Sequence, residues 1–131
     1  MDPAPRHQAR ERALTLLYEA ELKGIRPALV LEDLPVAPDP YTVTLVETVE
    51  AEQSDIDGLI GGAAIGWEMA RMAVVDRNVL RLAVAELLTF PDVPVAVILN
   101  EAVELATSYS TDSSGSFVNG VLATLAVQIR G

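Results

Sequence analysis

The stretch from Arg77 to Phe90, RNVLRLAVAELLTF, constrains the fold of this chain more than any other. Val79, Leu80, Ala83, Val84, Leu87 and Leu88 fall in pairs every four residues, which marks one face of an α-helix. Leu82 and Ala85 carry the apolar surface further round. A helix that is apolar over most of its circumference needs neighbours on several sides, so this one is expected at the centre of a helical bundle. Asp76 stands ahead of it as an N-cap, and Pro91 ends it.

The remaining segments supply those neighbours. Ala9, Ala13, Leu16, Leu17 and Ala20 recur at helical spacing within residues 6–23, and Gly24 makes a stop. Pro27 opens a brief helix over ALVLEDL, and PVAPDP at 35–40 reads as a rigid loop. Val43, Val46 and Val49 trace a further helix from Tyr41 to about Gln53, followed by an N-cap-like Ser54 and a helix-breaking GGAAIG at 61–66. WEMARM at 67–72 adds a turn or two, with the only tryptophan, Trp67, as a core anchor. Pro94 starts a helix whose face is Ile98, Ala102, Leu105, Ala106 and Tyr109.

The segment DSSGSFVNGVLATLA contains Asn119-Gly120, a pair that favours a hairpin turn. Its flanks lack period-two alternation, whereas Val118, Val121, Leu122, Leu125 and Ile129 follow the helical period. A helix therefore runs through Gly120, and a close approach by a neighbouring helix is expected to offset the glycine's cost of about 1 kcal/mol. The sum is an all-α bundle of about seven helices with a mainly aliphatic core, since half of the 131 residues are hydrophobic and only 5% aromatic.

Composition narrows function by exclusion. The absence of cysteine removes disulfide and thiol chemistry, and no apolar run approaches the roughly 18 residues of a membrane span. With a charged N-terminus lacking a secretory signal, a soluble cytoplasmic domain is expected. The single histidine, His7, has no identifiable catalytic partners, and neither HExxH nor a phosphate-binding GxxxxGK[ST] loop occurs. Glu101 and Glu104 lie one helical turn apart, a spacing far commoner in solvated carboxylates than in acid–base pairs. The net charge of −10 is unevenly spread: residues 1–26 carry five bases against four acids, and the rest four bases against fifteen acids. That asymmetry hints at a basic binding end, although Arg and Glu alternating along a solvated helix face is the commoner explanation.

Four stretches go further: RHQARERALTLLYEAEL (6–22), VDRNVLRLAVAELL (75–88), DVPVAVILNEAVELA (92–106) and SFVNGVL (116–122). In this order and spacing, with Gly66-Trp67 between them, they resemble the NusB family of bacterial antitermination factors over nearly the whole chain. The resemblance implies one NusB-like all-α domain over residues 1–131, in two helical subdomains, with neither enzymatic activity nor a cofactor. It implies binding of boxA RNA together with NusE, a protein of the small ribosomal subunit, and an indirect partnership with the RNA polymerase antitermination complex.

For RNA, the resemblance carries over Arg6, Arg10 and Arg12. Arg6 and Arg10, four residues apart on one helix face, are expected to grip adjacent phosphates. It also carries over Ser113, Ser114, Ser116 and Phe117 at the start of the last helix, where hydroxyls and free N–H groups suit phosphate. Phe117 is either a stacking platform or a core residue. Asp76 is expected to face NusE, and the same residue can cap its helix. His7, Gln8, Glu11, Ser116 and Thr107 stand where the family often has bases, so weak RNA binding by the isolated chain is expected. A diverged module that keeps only protein binding or dimerisation is the alternative, as some members of the family are dimers and others monomers.

Overall fold

The computed structural model describes residues 3–131, with side chains from Pro5 onward. Six α-helices follow one another: α1 (Pro3–Lys23), α2 (Pro27–Glu32), α3 (Pro40–Ala63), α4 (Val74–Thr89), α5 (Val95–Tyr109) and α6 (Asp112–Arg130). The segment expected to be a seventh helix is only a 3-10 turn, Met69–Arg71. No strand occurs among the described residues, and none of their helices is long and apolar enough to cross a membrane.

Local chemistry sets most boundaries. Gly24 adopts φ +66°, a left-handed conformation that favours glycine, and the chain leaves α1 there. Asp39 caps α3 by accepting from the Tyr41 N–H at 2.7 Å, with Pro40 in the first helical position. Thr111 caps α6 through the Ser114 N–H at 3.2 Å. Two expected caps are displaced. Ser54 lies inside α3, which continues to Ala63. Asp76 lies within the first turn of α4, whose N-cap is Ala73. There its carboxylate still favours the positive end of the helix dipole.

The central helix is where its pattern requires it. α4 packs against α1, α3, α5 and α6, and Val79, Leu80, Leu82, Val84 and Ala85 are all buried. The core around it is formed by Leu14, Leu45, Ile56, Ile60, Ile98, Leu122 and Leu125, which are aliphatic as the composition implied.

α6 runs straight through Asn119-Gly120, as its periodicity requires. The expected close approach, however, occurs elsewhere. A Cβ on Gly120 would meet nothing within 4 Å, whereas one on Gly115 would lie 2.8 Å from Thr107 Oγ1 and 3.3 Å from Val103 Cγ1. Gly115 therefore lets α5 and α6 pack closely, and Gly120 is simply an exposed helical glycine. Trp67 is not a core anchor either: it is 54% exposed.

Candidate nucleic-acid and partner interface

The residues singled out by the sequence fall into two groups near opposite ends of α4. Glu86 marks one group and Asp76 the other, about 15 Å apart along the helix axis.

Near Glu86, the start of α1 crosses the later half of α4. Arg10 is only 3% exposed, and its guanidinium is turned onto Glu86. Nε donates to both Glu86 oxygens at 2.8 and 3.0 Å, and Nη2 donates to Oε2 at 2.6 Å. The hydroxyl of Tyr41 donates to the same carboxylate at 2.6 Å. Burial, and then this bond to Glu86, pushes the Tyr41 hydroxyl well above the usual phenol range. Burial disfavours the charge on Arg10, but Glu86 outweighs it and the pKa is raised, so the guanidinium stays charged.

Arg10 therefore does not present a fork to phosphate alongside Arg6; it joins α1 to α4. Helical spacing alone put the two arginines on one face, but that face is the one that packs inward at Arg10. Arg6 is half-buried and lies over Tyr41, with its guanidinium carbon 5.0 Å from the ring centroid. Tyr41 in turn stacks on Phe90 at 4.1 Å, giving a layered Arg6–Tyr41–Phe90 stack. Arg6 Nε is buried without a hydrogen-bond partner among the described residues. Arg12 is exposed. His7 Nδ1 shares a 2.6 Å hydrogen bond with Glu101 Oε2, and that bond raises the imidazole pKa against the opposing effect of burial.

Near Asp76, the starts of α4 and α6 enclose a cavity of 360 Å³ lined by Trp67, Met72, Asp76, Ser113, Ser114 and Phe117, among others. Buried Ser114 donates to Asp76 Oδ2 at 3.0 Å, while Asp76 Oδ1 is buried with no hydrogen-bond partner among the described residues. Phe117 is half-buried and meets Trp67 edge to face at 5.5 Å. The ring thus serves partly as core and partly as cavity wall. Ser116 is exposed and lies outside the cavity lining. The cavity brings Asp76 together with Ser113, Ser114 and Phe117, although Ser114 follows it by 38 residues in sequence.

Trp67 is the lining residue that a core assignment missed. The signal was available in its setting: it follows Gly66, which has φ +84°, and precedes a short 3-10 turn, a place where a large side chain has little helix to pack it. Tyr109, whose spacing places it on the inner face of α5, is exposed as well, and with Tyr18 it flanks a second groove lined by Leu14, Thr15 and Val75.

Most of the other bases are occupied within the protein. Arg77 and Arg81 both pair with Glu21, Arg81 also pairs with Asp57, and Arg130 donates to the carbonyls of Leu87, Phe90 and Val93.

Comparison with known proteins agrees with this architecture. The profile of the NusB family matches residues 7–127. The transcription antitermination protein NusB of Acidothermus cellulolyticus is 48% identical over 124 residues, covering 92% of this chain and 86% of that protein. Among solved structures, T. maritima NusB superposes with a TM-score of 0.85 at 33% identity, over 94% of this chain and 91% of that one. A crystal structure of the antitermination factors NusB and NusE in complex with dsRNA matches with a TM-score of 0.82 at 30% identity, over 95% of this chain and 98% of that one. With this profile, these identities and the superposition on solved NusB structures, the chain belongs to the NusB family.

Proposed function

We propose that this chain is an RNA-binding transcription antitermination factor, without enzymatic activity of its own, that binds boxA RNA together with NusE in the cytoplasm. In that role it acts on ribosomal RNA operon transcription. Its similarity to a NusB solved with NusE and dsRNA supports the reading. The observation that carries it is the cavity at the starts of α4 and α6, where a buried carboxylate oxygen of Asp76, unpartnered among the described residues, lies among three serines and two aromatic rings.

Each part has a role that its chemistry suits. Asp76 Oδ1 is an acceptor waiting for a donor, which fits a backbone N–H or a cationic side chain of NusE. Ser113 and Ser116 offer exposed hydroxyls to phosphate, and the exposed edges of Trp67 and Phe117 suit an unpaired base. At the other end of α4, Arg6 and Arg12 supply the positive charge. With Arg10 withdrawn into the protein, this chain contributes few phosphate contacts, and NusE supplies most of the attraction for RNA.

The test is fluorescence anisotropy of a short boxA RNA titrated with the chain, with and without NusE, against a scrambled RNA. Preference for boxA that depends on NusE and weakens in Asp76→Ala supports the function. Binding to NusE with no preference between RNAs would overturn the RNA half and leave a protein-binding module.

A further inference from the structure

We propose that His7, Glu101 and Glu104 form a site for a divalent cation of intermediate softness, of the Zn²⁺, Co²⁺ or Ni²⁺ type. One donor atom from each of the three residues lies within 4.8 Å of the other two. His7 comes from the first turns of α1 and the glutamates from α5. Glu101 and Glu104, three residues apart, project from the same face of α5.

The donor set selects the class of metal. One imidazole nitrogen with two carboxylates suits zinc and its neighbours, whereas Mg²⁺ and Ca²⁺ favour sites built of oxygen alone. Zinc–ligand bonds of about 2.0–2.2 Å place tetrahedral donors about 3.4 Å apart. Closing from the present spacing, at most 4.8 Å, to about 3.4 Å needs the donors to approach by at most about 1.4 Å. Three protein ligands leave the fourth position to water.

His7 Nδ1 and Glu101 Oε2 share a 2.6 Å hydrogen bond, so an ion must displace the proton between them, and binding should strengthen as the pH rises. Arg10 Nη1 lies 3.8 Å from the other Glu101 oxygen, Oε1, so Oε2 is the oxygen left to the ion. Glu104 is exposed and forms no hydrogen bond or ion pair among the described residues, which leaves its carboxylate free to turn. An ion held here would fasten the start of α1 to α5, one residue from Arg6.

Isothermal titration of the untagged full chain with zinc chloride tests the site, with the wild type beside His7→Ala and Glu104→Gln. The expected result is one saturable equivalent in the wild type and affinity about tenfold or more lower in each variant. Circular dichroism should show the same helicity in all three proteins, and Zn²⁺ should raise the melting temperature of the wild type alone. Excess Mg²⁺ should leave the titration unchanged. No saturable equivalent, equal affinity in the variants, or competition by Mg²⁺ would overturn the proposal.

Discussion

Arg10 and Glu86 meet inside the protein through three hydrogen bonds of 2.6 to 3.0 Å, with both side chains almost fully excluded from water. Removing one member of such a pair leaves an uncompensated buried charge, which costs about 3–5 kcal/mol. Arg10→Ala should therefore lower the unfolding free energy by about that amount in urea titrations. The double replacement Arg10→Met/Glu86→Leu removes both charges together and should recover most of the loss. An Arg10→Ala protein as stable as the wild type would mean that the pair does not form.

RNA binding should separate the two arginines. Arg6→Ala should flatten the log–log salt dependence by about 0.7, the value for one phosphate contact on a single strand. Arg10→Ala, compared at equal folded fraction, should leave the slope unchanged. Equal flattening in both variants would place the Arg10 guanidinium outside the protein, contrary to its burial.

The two glycines of α6 should respond oppositely to alanine. Gly120 is exposed with open space at its Cβ position, so Gly120→Ala should stabilise by roughly 0.5–1 kcal/mol through helix propensity. Gly115→Ala forces a methyl group against Thr107 and Val103 and should destabilise by about 1–3 kcal/mol. Adding Thr107→Ala removes the nearer obstacle and should restore part of the loss. Thermal melts of the three variants decide the matter.

Acid should weaken the protein partly through Glu21. Burial pushes this carboxyl up, but bonds and charge from Arg77 and Arg81 outweigh it, leaving the pKa below its ordinary value of 4.5. The lowered folded value means that Glu21 contributes stability in full above pH 4.5 and loses it as the pH falls through the folded pKa. Glu21→Gln should be less stable than the wild type at neutral pH, with the gap closing in acid. A gap that is constant with pH would show that the carboxylate charge is not what matters.

Trp67 provides a native probe of the cavity. As the only tryptophan, more than half exposed and set against Phe117, it should shift its emission to the blue when NusE or RNA covers this end of α4. Asp76→Ala should diminish the NusE-dependent change. An emission spectrum unmoved by saturating NusE and RNA would place their binding surface elsewhere.

Much of this architecture was legible in the sequence because burial leaves a periodic trace. The Val79-Leu80, Ala83-Val84 and Leu87-Leu88 pairs located the central helix, and the Val118–Ile129 spacing carried α6 through Asn119-Gly120. What escaped depends on which neighbour each face meets. The spacing of Arg6 and Arg10 shows a shared face but not that Glu86, 76 residues beyond Arg10, waits beneath it. Helix propensity made Gly120 the conspicuous glycine, yet the close contact is at Gly115, where only the crossing of α5 and α6 matters. Trp67 resembled core by size, but it lies between a left-handed glycine and a 3-10 turn, with too little regular structure to cover it. The cavity itself joins the starts of α4 and α6, a proximity that no local pattern encodes.

The long separation between Arg10 and Glu86 also bears on biosynthesis. At about 5–20 residues per second, a ribosome reaches Glu86 roughly 4 to 15 s after it has incorporated Arg10. Throughout that interval the nascent first helix has no α4 to receive its guanidinium, and Arg10 stands with Arg6 and Arg12 as a basic segment offset only by Glu11. The growing polypeptide thus passes through a stage more cationic at its leading end than the finished protein, and translation of α4 brings that stage to an end.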